Sequence, residues 1–207
     1  MEEEDPEKSF VTDKRKAILD SALLLFTERG FHGTPTSLIA SEAGVATGTL
    51  FHYFATKEEL IRELYLDIKR EAGREMRKGT DMETDLSSGL KKTASNYFFW
   101  GIKNPAKVKF MEQFCLSPYL PADTREEGIS NFLFLLEIIE SGIKSGEIKP
   151  VPVELAIEMA AKSLNAIIEY VTISGEGCNA EEIFGLAYPV IEDGLRKQAF
   201  GSPDKTG

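Results

Sequence analysis

The sequence predicts an all-α protein of about nine helices. Apolar residues recur at the 3.6-residue helical period, no segment sustains the alternation of a strand, and glycine, proline and asparagine separate the periodic stretches. Residues 1–11 read as a flexible acidic tail. Thr12 stands where an N-cap belongs, Ile18, Ala22 and Phe26 follow at four-residue steps, and Gly30 ends the first helix. Thr34 caps a second helix, with Pro35 at the first position where its missing N–H costs nothing, and Gly44 stops it. A short third helix covers about Thr47–Phe54. Thr56-Lys57-Glu58-Glu59 then forms a capping box that opens a helix to about Lys78, with Leu60, Ile61, Leu64 and Ile68 on its buried side.

Composition shifts at 78–85, where Gly79, Thr80 and Asp81 mark a boundary between a segment 12–78 and a larger one, 79–200. Five helices fill the second segment: Asp85–Ile102, Pro105–Leu116, Asp123–Ser145, Val153–Ser174 and Ala180–Phe200. Residues 201–207 read as a second flexible tail.

Charge and chemistry narrow the function. The net charge is −10, which argues against a generic nucleic-acid binder, since phosphate neutralisation supplies most non-specific affinity. Cys115 and Cys178 lack metal-ligand spacing and read as reduced thiols, the acidic start is unlike a secretory signal, and no apolar run approaches a membrane span; the expected compartment is the cytoplasm. Both histidines, His32 and His52, fall in the first segment. No phosphate loop, Cys-x-x-Cys pair or nucleophile elbow occurs, so neither catalysis nor a metal or cofactor is expected.

The helix pair at 34–54 is the most informative feature. Two short helices joined by a tight glycine turn either form a structural hairpin or fix a recognition helix for the major groove. Ala40, Ala43, Val45, Leu50 and Phe54 suit the helix crossing, while Thr47, Gly48, Thr49, Phe51, His52 and Tyr53 are poor core material on a helix too short to stand alone. The order Ile39-Ala40-(x2)-Ala43-Gly44-Val45-(x2)-Gly48-Thr49-Leu50-Phe51-His52-Tyr53-Phe54-(x2)-Lys57-Glu58-Glu59-Leu60 resembles the DNA-binding domain of the tetracycline-repressor (TetR) family, over about Lys14–Leu66.

That resemblance implies an N-terminal three-helix helix-turn-helix domain and a C-terminal helical domain for effector binding and dimerisation. The implied function is a ligand-responsive, dimeric transcriptional regulator, a repressor released from a near-palindromic operator by a small, largely apolar effector. Thr47, Gly48 and Thr49 would face bases or phosphates, Phe51 a thymine methyl, and His52, Tyr53 and Lys57 phosphates, with Thr34 and Ser37 as weaker phosphate candidates. The position before Thr47, usually Ser in the family, is Ala46, which removes a side-chain cap worth roughly 1 kcal/mol unless the helix starts one residue later with Thr47 as its cap.

Aromatic bulk in the second segment suggests an apolar pocket, for which Asn96, Phe99, Trp100, Phe110, Met111, Phe114, Phe132, Asn165, Glu169 and Tyr170 are candidates, although ordinary core explains each aromatic as well. Apolar stripes with small residues, Ala156, Ala160, Leu164, Ile167 and Val171, then Ile183, Ala187, Val190 and Ile191, are expected at a homodimer interface. Two rival readings are a helical interaction protein that kept the fold without DNA binding, and a small enzyme, which the missing chemistry disfavours.

Overall fold

A computed structural model describes residues 6–80, 85–115 and 117–197. Their regular structure is helical throughout, apart from one isolated bridge between Ile148 and Arg196. The helices are α1 (Pro6–Arg29), α2 (Thr36–Glu42), α3 (Thr47–Tyr53), α4 (Lys57–Arg77), α5 (Leu86–Lys103), α6 (Pro105–Phe114), α7 (Ala122–Ser130), α8 (Leu133–Ser145), α9 (Val153–Ser174) and α10 (Ala180–Leu195). The all-α expectation holds, with three differences. Helix α1 begins at Pro6, ahead of Thr12, so 6–11 are helical where a tail was expected. Residues 1–5 and the expected tail at 201–207 lie outside the described residues.

The helix expected over Asp123–Ser145 is two helices. Its apolar period runs unbroken through Ile129 and Phe132, which hides the break from a pattern reading. Asn131 makes the break: its side-chain amide donates to the carbonyls of Glu127 (3.3 Å) and Gly128 (3.2 Å), satisfying acceptors at the end of α7. The last helix stops at Leu195 because Lys149 takes over its end. The Lys149 backbone N–H donates to the Leu195 carbonyl at 2.8 Å, and its ammonium donates to those of Asp193 (3.2 Å) and Gly194 (2.8 Å).

The chain forms two compact units, and they do not coincide with the expected boundary at 78–79. The first unit comprises residues up to 72 together with 104–131; the second comprises 73–103 and everything from 132 onward. Helix α4 therefore belongs to both, and α6 and α7 belong with the first three helices.

Phe26 is the centre of the first unit. It is wholly buried, with Phe31, Phe110 and Phe114 around it at centroid distances of 6.0, 6.5 and 6.0 Å. These contacts fix α6 on α1, and Ile18, Ala22, Leu50, Leu60 and Ile61 complete the apolar core. On the far side, α7 approaches α4 at Gly128, where a Cβ would lie 2.6 Å from the Tyr65 ring. The second unit packs α5 and α10 on α9, with Phe98, Phe184 and Tyr188 stacked between them. Ile139, Ile148 and Ala156 form a further cluster beneath α8.

Burial pushes the Tyr65 hydroxyl from its usual 10 up to about 12, and Tyr188 is displaced upward for the same reason. A raised folded-state value means that the native state holds the proton more tightly than the unfolded chain. The corresponding stability is fully present below pH 10 and is lost as pH rises towards 12. Chemical denaturation at about pH 9 and about pH 11 should show this alkaline loss, and Tyr65→Phe should reduce it.

Candidate nucleic-acid interface

Helices α2 and α3 are joined by a four-residue turn whose geometry follows from Gly44. Its φ of +66° is the left-handed value that glycine adopts without penalty. Around it the Val45 N–H donates to the Ala40 carbonyl at 2.9 Å and the Gly44 N–H to that of Ser41 at 3.1 Å, the paired bonds of a Schellman ending. Ile39, Ala40 and Leu50 are buried at the crossing, and Phe54 closes it from below. The Arg15 guanidinium lies 5.5 Å from the Phe54 ring centroid and pairs with Glu63 at 3.1 Å, tying α1 to α4. The anchored residues of α3 are therefore its apolar ones.

Its other side is open. Thr47, Gly48, Phe51 and His52 are exposed, Phe51 to 44%, while Thr49 and Tyr53 are half-buried and His52 sits edge-on to the Tyr53 ring. Ser37 is exposed at the start of α2. Ala46 is the N-cap of α3 and no side chain caps it, so the helix start has not shifted to Thr47. The first N–H groups of α3 consequently lack a side-chain acceptor, an arrangement suited to an oxyanion. At the start of α4 the capping box forms in a stretched version. Thr56 Oγ1 accepts from the Glu59 N–H at 3.0 Å, and the Glu59 carboxylate reaches back to the Ala55 N–H at 2.7 Å.

Two expected contact residues are placed differently. Thr34 is fully buried, and its hydroxyl donates to the carbonyls of Gly30 (2.8 Å) and Leu25 (3.1 Å), so it locks the α1–α2 loop and presents nothing to a phosphate. Pro35 is the N-cap of α2, without a side-chain cap. Lys57 is half-buried and turned inward: its ammonium donates to the Phe31 carbonyl and lies 4.1 Å from the Phe31 ring centroid. Burial lowers its pKa, against a smaller opposing pull from Glu58. Between residues 34 and 59 stand one lysine and three glutamates, so attraction for DNA here rests on N–H groups and hydroxyls more than on net charge.

Residues 18–64 match the family model for bacterial regulatory proteins of the tetR family. The fatty acid metabolism regulator protein of Bacillus subtilis is 31% identical over 150 residues, which cover 70% of this chain and 77% of that protein. The chain belongs to the TetR family. A solved structure from Shewanella sp. PV-4, described as a tetR family transcription regulator, shares 31% identity, with a TM-score of 0.80 over 89% of this chain and 99% of its own. The transcriptional regulator FadR of Bacillus subtilis, crystallised in complex with stearoyl-CoA, has the same fold: its TM-score is 0.68 at 22% identity, over 87% of this chain and 99% of that one.

As a TetR protein the chain is a transcriptional regulator and not an enzyme. Among its described helices none is long and apolar enough to cross a membrane. The ten residues expected at an effector pocket are divided between the two units. Phe110, Met111 and Phe114 are buried in the first unit against Phe26, where they are core. Glu169 and Tyr170 are exposed, Tyr170 to 59%. Asn96 donates to the carbonyls of Met76 (3.1 Å) and Lys78 (2.7 Å), closing the end of α4. Phe99, Trp100, Phe132 and Asn165 remain in the second unit, buried or partly so.

The partner of Asn165 is not legible in the helical period. The Tyr97 hydroxyl donates to Asn165 Oδ1 at 2.8 Å, and one turn earlier Thr93 Oγ1 is buried with no hydrogen-bond partner among the described residues. Buried polar groups on helices that otherwise bury apolar residues were the available signal.

Of the residues expected between protomers, Ala156, Leu164 and Val171 are buried inside their own chain, Ala156 against Ile139 and Ile148. The sequence stripe took in the intramolecular face because the two faces share one period. Ala160, Ile167, Ile183, Ala187 and Ile191 are half-buried, and Val190 is 73% exposed. The apolar residues that point to solvent lie a step round α9 and α10: Leu155, Met159, Tyr170, Ile173 and Leu186.

Two stability measurements follow. Thr34→Val should lower the stability of the protein by about 1–2 kcal/mol, because the hydrogen bonds from Thr34 to the Leu25 and Gly30 carbonyls are lost. Ala46→Ser should raise it by about 1 kcal/mol, by supplying the absent cap. Thermal melting of the two variants beside the parent protein reads both.

Proposed function

We propose that this TetR regulator binds double-stranded operator DNA as a homodimer in the cytoplasm, and that a small, largely apolar effector releases it. The observation that carries DNA reading is the open side of α3. A helix anchored by Leu50 offers Thr47, Gly48, Phe51 and His52 to solvent, with its N-terminus uncapped. Ser37, Thr49 and Tyr53 border that surface, and the hydroxyl groups suit phosphate and base edges.

The solvent-facing residues of α9 and α10 support dimerisation. Leu155, Met159, Tyr170 and Ile173 recur along one side of α9, and Leu186 and Val190 stand one turn apart on α10. Exposed apolar surface of this extent on two adjacent helices favours a self-complementary contact about a two-fold axis. Such a dimer presents two recognition helices to a near-palindromic site. Effector binding is supported by the second unit, where the Tyr97–Asn165 pair and the Thr93 hydroxyl, which has no hydrogen-bond partner among the described residues, are polar groups among apolar helices. FadR of Bacillus subtilis, a protein of this fold, was crystallised in complex with stearoyl-CoA, which supports an effector with a long apolar chain and a polar head.

Fluorescence anisotropy with DNA flanking the protein's own gene tests the DNA reading. Tyr53→Ala is expected to weaken binding about tenfold on every sequence bound, the equivalent of one lost phosphate hydrogen bond, while leaving the oligomer intact. Absence of any sequence-selective binding by the parent protein would reject the reading. Leu186→Glu with Val190→Glu should convert the dimer to monomer in sedimentation velocity and abolish tight operator binding, because each half-site alone is weak.

A further inference from the structure

The α6–α7 connection carries a side chain with no assigned role, Tyr119. Its ring stacks on Phe31 at a centroid distance of 3.8 Å and an interplanar angle of 15°. The Lys57 ammonium lies 4.1 Å from the same Phe31 centroid, and two groups so close cannot share one face of a ring, so Phe31 is sandwiched between them. The Tyr119 hydroxyl is hydrogen-bonded to His32 Nε2, and the imidazole stands edge-on to both rings, at 5.5 Å from Tyr119 and 5.6 Å from Phe31. The connection is itself held. The Tyr119 N–H donates to Ser117 Oγ at 3.1 Å, and Arg125 donates to the Leu120 carbonyl at 2.6 Å.

We infer that Tyr119 is a positioning residue for DNA reading. It clamps the loop between α1 and α2, and through Phe31 it sets Lys57 at the first turn of α4. The inference rests on the DNA-binding reading above. Phe31, Lys57 and Tyr119 come from three separate stretches of chain, and the segment 104–131 that carries Tyr119 enters from the second unit and returns to it. The Tyr119 ring is thus a common support for the loop that precedes α2 and for the cation at the start of α4.

Three variants of the full chain test this. Tyr119→Ala should speed amide hydrogen exchange across residues 30–37 without DNA, and should weaken operator binding roughly fivefold, the affinity equivalent of one aromatic stack. Tyr119→Phe, which keeps the ring, should restore both. It should nevertheless shift the side-chain nitrogen resonances of His32 and leave those of His52 unmoved, a clean comparison because the protein has two histidines. Tyr119→Leu, which fills the space without stacking, should behave as Tyr119→Ala and guards against misfolding of that variant. Unchanged exchange over 30–37 in both Ala and Leu variants, or operator binding as tight as the parent's, overturns the inference. Should the parent protein bind no DNA, the proposed function fails, and the exchange and histidine measurements still decide whether the clamp exists.

Discussion

The packing of Phe110 and Phe114 onto Phe26 is the contact on which the first unit depends. A three-helix head with α2 and α3 of seven residues each has little apolar surface of its own to bury. Phe26 sits at the centre of what it has, and one side of that ring is covered by residues from α6. The α1–α2 loop and helix α3 are anchored to this cluster at one remove. Phe31 stacks on Phe26, the α1–α2 loop is tied through Phe31 and Thr34, and Leu50 holds α3 against the same core.

Much of this was legible in the sequence, and the parts that were not share a cause. Proline, glycine and the Thr56–Glu59 capping pattern act locally, so the helix pair, its turn at Gly44 and the start of α4 were all placed from sequence. The exposure of Thr47, Gly48, Phe51 and His52 on α3 is legible for the same reason, since a short amphipathic helix must expose whatever its apolar stripe does not bury. Thr34 was misplaced because a threonine before a proline looks like a cap, whereas carbonyls at Leu25 and Gly30, supplied by the fold, compete for its hydroxyl. The inward turn of Lys57 is not legible locally because its partner is the carbonyl of a residue 26 positions earlier. On α9, Ala156, Leu164 and Val171 were assigned to a partner protomer when they serve the chain's own core; a helical period gives direction but not the identity of what lies there.

The charge balance sets the character of the regulator. An acidic chain with three glutamates and one inward-facing lysine across its reading region gains little from long-range attraction. Sequence-tolerant binding along a genome would then be weak, and discrimination would come from close fit at α3. Such a protein favours a small number of well-matched sites over a large population of loosely held ones.

The discontinuity of the first unit has a consequence for how the chain is made. Residues up to 72 cannot cover Phe26 by themselves; the covering helix is encoded after the whole of α5, which belongs to the other unit. During synthesis the head must wait for residues 104–131 to leave the ribosome, and closing that loop costs entropy before any aromatic contact repays it. A fragment ending at the close of α4 would carry the complete helix-turn-helix yet expose the face of Phe26. Such a fragment is an aggregation hazard. A fragment reaching the end of α7 would cover Phe26, yet it would leave α5 without α9 and α10, on which Phe98 packs.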